Sequence, residues 1–99
     1  MLQQSQTNII NRGEYNGWSN RETWLVNLWL NNEPFHQESL INIIEQDASF
    51  SIKIDLLDEL VREIALYDIK DHGSMTVDLI NAAIARADLG EILKANSEA

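Results

Sequence analysis

A chain of 99 residues, 44% apolar and with three tryptophans, is sized for one domain built on one core. It has no cysteine, which excludes a disulfide framework, a thiolate zinc site and a cysteine nucleophile, and fits a reducing, cytoplasmic setting. Sixteen acidic against seven basic residues leave a net charge of −9, so nucleic-acid phosphates and anionic membranes repel the chain unless its few bases cluster.

The bases Arg12, Arg21, Lys53, Arg62, Lys70, Arg86 and Lys94 are scattered, so direct nucleic-acid binding is disfavoured. Met1 to Asn11 is rich in Gln, Asn, Ser and Thr and lacks the basic and apolar regions of a secretory leader. Residues 1–15 therefore read as a flexible tail and residues 16–99 as a single helical domain. No run approaches the roughly 20 apolar residues that cross a bilayer.

Ser19 and Glu22 have the spacing of a capping box, in which each side chain satisfies a backbone N–H at a helix start. The first helix should run from Asn20 to about Asn32 and stop at Pro34. Asn20, Thr23, Asn27 and Asn31 share one narrow polar stripe, while Trp24, Leu25, Val26, Leu28, Trp29 and Leu30 fill the rest of the circumference. So wide an apolar arc predicts a central helix with Trp24, Leu28 and Trp29 in the core.

A second helix is expected over Pro34 to Glu45, with Phe35, Leu40, Ile43 and Ile44 inward. The only ambiguous stretch is Ser49 to Asp55. A third helix begins between Ser51 and Asp55 and continues to about Lys70. Its inner stripe is Ile54, Leu57, Leu60, Val61, Ile64 and Ala65, and its outer face carries Asp55, Asp58, Glu59, Arg62 and Glu63. Asp58 and Arg62 are spaced for an i, i+4 ion pair. Leu66 falls opposite the inner stripe, as a lone surface leucine or a partner or dimer contact.

The fourth helix should span Met75 to Ala87, with Ala82, Ala83, Ala85 and Ala87 small enough for close helix approach. Asp88 and Glu91 form a second box-like start to a last helix from Leu89 to about Asn96. The expected fold is all-α, a compact bundle of four to five short helices.

Little chemistry is written into the chain. His36 and His72 have no second histidine or cysteine at metal-ligand spacing, so no metal and no cofactor is expected. No serine lies in a nucleophile-elbow pattern, and no glycine-rich phosphate loop occurs. The paired carboxylates Asp58 and Glu59 lie on a solvated face. These features do not predict an enzyme. The segment Tyr15-Asn16-Gly17-Trp18 admits two readings. Trp18 packs back on the first helical turn, or Tyr15, Trp18 and Arg21 together anchor an interface.

The run Asn16-Gly17-Trp18-Ser19-Asn20-Arg21-Glu22-Thr23-Trp24-Leu25-Val26-Asn27-Leu28-Trp29-Leu30-Asn31-Asn32-Glu33 resembles a family of short uncharacterised proteins encoded largely by phages, plasmids and other mobile elements. The stretch Asp78 to Ile92 resembles that family's second recurring block, except that Ala87-Asp88-Leu89 stands where an aromatic often follows the arginine. The resemblance implies no activity but does imply a setting, since small accessory proteins of mobile elements commonly counter host defence. Two functions are therefore expected. One is an anti-defence protein whose acidic face, Asp55, Asp58, Glu59 and Glu63 with Asp68 and Asp71 beyond, occupies the nucleic-acid groove of a host restriction or CRISPR nuclease. Arg62 and Lys70 interrupt that row. The other is a structural or regulatory adaptor that self-associates or binds an element-encoded protein through Leu66, Tyr15 and Trp18.

Overall fold

The computed structural model describes residues 15–70 and 73–97, which form five helices. The expectations for the 1–14 tail, for Asp71 and for His72 lie outside the described residues. The helices are α1 (Arg21–Asn32), α2 (Pro34–Ile44), α3 (Phe50–Leu66), α4 (Met75–Arg86) and α5 (Leu89–Ser97). The all-α bundle expected from the helical periodicity is the fold observed.

Each helix starts on a side chain that accepts an otherwise unpaired backbone N–H. Asn20 serves α1, Glu33 serves α2, Ser49 serves α3 and Ser74 serves α4, while Asp88 Oδ1 accepts the Glu91 N–H at the start of α5. Such a cap is worth about 1 kcal/mol. Pro34 occupies the first turn of α2, where its missing N–H costs nothing. At the other end of α2, Lys53 Nζ donates to the Ile44 carbonyl, bringing a cation from α3 to a helix end with no base of its own.

The core is a cluster of Leu30, Leu40, Ile43, Leu57, Val61, Ile84, Leu89, Ile92 and Leu93. Three of these come from nine-residue α5, which packs on α1, α2 and α3. The shortest helix holds the central place that the apolar arc predicts for α1. Trp24 is only half-buried, and Leu28 and Trp29 are exposed, contrary to expectation. The reason is the polar stripe. Thr23, from that stripe, is fully buried at 0% exposure. Leu25, Leu28 and Trp29 sit roughly 120–160° around the helix from it and are turned outward.

The Ser19–Glu22 capping box does not form. Asn20 Oδ1 accepts the Thr23 N–H instead, Ser19 donates both its N–H and its hydroxyl to Glu91 Oε1, and Glu22 pairs with Arg86 at 3.4 Å. The ambiguous Ser49 to Asp55 stretch is helical because Ser49 caps it. Phe35 points out at 70% exposure, since Leu40 and Ile43 already fill the inner side of α2. Helix α3 ends at Leu66 rather than near Lys70. The position that would continue its inner stripe is Asp68, and the chain instead tightens through i→i−3 bonds from Tyr67 to Ile64 and from Ile69 to Leu66. Ala65 is exposed, at the margin of the stripe, and Leu66 is half-buried. Ala82, Ala83 and Ala85 are exposed rather than packed into a close helix contact, and half-buried Ala87 lies against the core just past the end of α4. No helix among the described residues is long and apolar enough to cross a membrane.

Candidate protein interface

The approach to α1 is a tight turn. Asn16 and Gly17 both have positive φ, 50° and 90°, as a two-residue primed hairpin turn requires. Tyr15 and Trp18 flank it and exchange backbone hydrogen bonds of 2.7 and 2.8 Å. The reversal sends Trp18 against the core, where it is half-buried. It leaves the Tyr15 ring edge-on to Trp24 with centroids 4.9 Å apart. The exposed Arg21 guanidinium lies 5.7 Å from the Tyr15 centroid. Tyr15 and Arg21 are thus brought together, while Trp18 takes a packing role.

The polar stripe of α1, buried at Thr23 and half-buried at Asn20, Asn27 and Asn31, hydrogen-bonds to the C-terminal part of the chain. Asn20 Nδ2 donates to the Arg86 carbonyl at 2.8 Å, and the Thr23 hydroxyl accepts the Asp88 N–H at 2.8 Å while donating to Asn20 Oδ1 at 2.6 Å. Further along, Asn27 Oδ1 accepts from Asn96 Nδ2 at 2.9 Å, and Asn31 Nδ2 donates to Asn96 Oδ1 at 3.3 Å. These pairs advance in the same direction along both segments, so the start of α1 lies beside the start of α5 and its later residues Asn27 and Asn31 meet Asn96 near the far end of α5. Asp88 and Glu91 start α5 as expected, but the acceptor half of the box is redirected, because Glu91 is held by Ser19.

With the polar stripe inward, the outer face of α1 presents Leu25, Leu28 and Trp29, exposed by 40%, 43% and 55%. The sequence reading missed this surface. The stripe's composition, short amides and a hydroxyl rather than the long charged side chains of a solvated face, is compatible with inward pairing but does not by itself decide the facing.

On α3, Asp55, Glu59 and Glu63 are exposed on one line at i, i+4, i+8. Asp58 is half-buried beside them and accepts from Arg62 Nε at 2.9 Å, while Arg62 Nη1 donates to Asn81 Oδ1 at 2.7 Å. The guanidinium therefore links α3 to α4 and leaves the three-carboxylate line uninterrupted by it. Leu66, half-buried at the end of α3, lies one turn beyond Glu63 and on a different helix from the apolar face of α1. His36 is half-buried with Nδ1 unpartnered, and among the described residues no group of three or more His, Cys, Asp or Glu side chains could hold a metal ion.

Fold and surfaces together define a small all-α bundle with an apolar and an acidic face on different helices. Residues 11–98 match the model of a family of unknown function (DUF7249), and the chain belongs to that family. No curated protein and no solved structure matches it.

Proposed function

We propose that the protein is a non-enzymatic protein-binding module that docks a partner on the outer face of α1. The observation that carries this reading is the exposure of Leu25, Leu28 and Trp29 together on one helix face. Contiguous exposed apolar surface marks interaction sites, and tryptophan is enriched among the residues that dominate binding energy. Covering what each leaves exposed is worth about 1 kcal/mol apiece, from the scale of 1.5–3 kcal/mol for full burial. Helix α1 carries one base, Arg21, and one acid, Glu22, so the helix that bears this face has no net charge of its own. Binding there is apolar and insensitive to salt. In the mobile-element setting that the sequence resemblance implies, the partner is a protein of the same element or a component of host defence.

A second reading rests on the Asp55, Glu59 and Glu63 line, which would enter a basic nucleic-acid groove. Magnitudes favour the first. Eight residues of helix span about 12 Å, over which duplex DNA presents about seven charges, and the line supplies three carboxylates.

The two are separated by placing a photo-crosslinking amino acid at position 29 or at position 59 and irradiating lysates of cells that carry the natural partners, at low and at molar salt. Adducts from position 29 that persist in molar salt support the apolar docking face. Adducts from position 59 alone, lost at high salt, would replace it with the acidic reading.

A further inference from the structure

Between the first half of α3 and the corner joining α4 to α5 lies an open groove of about 770 Å³. Its floor is apolar, with Phe50, Ile54 and Leu89, and its rim carries the carboxylates of Asp58, Asp88 and Glu91. Phe50 is 45% exposed, yet its ring lies against the backbone of α5. A Cβ on Gly90 would sit 3.3 Å from a ring carbon, so the absence of a side chain there lets the ring settle on the helix. The groove also holds a cation of the chain's own, since Lys94 Nζ lies 5.8 Å from the Phe50 centroid.

The rim carboxylates are only partly used. Asp58 Oδ2 accepts from Arg62, Asp88 Oδ1 from the Glu91 N–H, and Glu91 Oε1 from Ser19. The second oxygen of each takes no hydrogen bond among the described residues. An aromatic floor with spare carboxylate oxygens around it is complementary to an arginine or lysine side chain, whose aliphatic stem covers apolar surface while its head pairs with acids. Lys94 already places a cationic head over the Phe50 ring from within.

We propose that this groove binds a basic segment of a partner protein, with cationic heads on Asp58, Asp88 and Glu91 and stems on Phe50. The site is independent of the outer face of α1 and of the Asp55, Glu59 and Glu63 line, so neither reading above needs to hold for it.

The test is titration of isotope-labelled full-length protein with a short peptide of arginine and leucine, followed by amide chemical shifts at moderate salt, with the glutamate-for-arginine peptide as control. Binding should saturate, with shifts concentrated at Ser19, Gly90, Glu91 and Lys94. Lys94→Gln removes the resident cation from an exposed position and should tighten binding about two- to fivefold, the scale of an exposed cation–ring contact. Phe50→Ala should weaken it by at least that factor. If Phe50→Ala does not fold, Lys94→Gln still decides. Absence of saturable binding overturns the proposal. So do shifts spread along Asp55, Glu59 and Glu63, which describe general attraction to a polyanion, or affinity unchanged or lowered in Lys94→Gln, which shows that Lys94 does not occupy the site.

Discussion

Thr23 shows how one side chain can decide which way a helix faces. Its hydroxyl is fully buried and fully used, donating to Asn20 and accepting from the Asp88 N–H. A buried hydroxyl with both roles filled stabilises modestly, but the groups around it become costly once it is gone. Thr23→Val keeps the shape and strands the Asp88 N–H, so it should destabilise by about 1–3 kcal/mol in chemical denaturation. Thr23→Ser keeps the hydroxyl and should cost clearly less than Thr23→Val. Equal losses in the two variants would show that the methyl contact, not the hydrogen bonds, holds α1 in its orientation.

At the scale of elements, the caps separate what is legible in sequence from what is not. Ser19 and Glu22 have box spacing, and so do Asp88 and Glu91, because both segments start helices. Spacing alone does not show that the two starts lie side by side and exchange partners, with Ser19 on Glu91 and Glu22 on Arg86. The local cap then falls to Asn20, which also donates to the Arg86 carbonyl. Asn20→Ala should therefore cost about 1–2 kcal/mol, the upper range for a cap, and Ser19→Ala less, since its bonds are exposed. The reverse order by thermal or denaturant unfolding would restore the box. Helix existence and approximate bounds were readable from periodicity and punctuation, as α2 with Pro34 and α5 with Leu89 show. The facing of α1 was not, because both its faces are regular and only tertiary pairing with Asn96 and Asp88 says which is inside. The acidic line on α3 could be read from spacing. The apolar face of α1 could not, since it reads as core until the polar stripe is known to be occupied.

For the whole molecule, stability and surface are carried by different residues, although the sequence composition would lump them together. Ile92 is completely buried in α5, where that helix meets α1, α2 and α3. Its truncation removes fully buried apolar volume from the core, and Ile92→Ala should cost about 2–5 kcal/mol. A domain of this size is held by only about 5–15 kcal/mol, so the loss is a large share of the total. Trp29 is the larger side chain, but more than half of it is already in water, at 55% exposure. Much of its transfer free energy is therefore never gained on folding, and Trp29→Ala should cost under about 1 kcal/mol. The ordering runs against side-chain size, and it also runs against the arc of apolar residues that makes α1 look central. Denaturant midpoints of the two variants, measured side by side with unchanged slopes, decide the matter. Should Trp29→Ala lose as much as Ile92→Ala, the tryptophan belongs to the core, and the outer face of α1 is no docking surface.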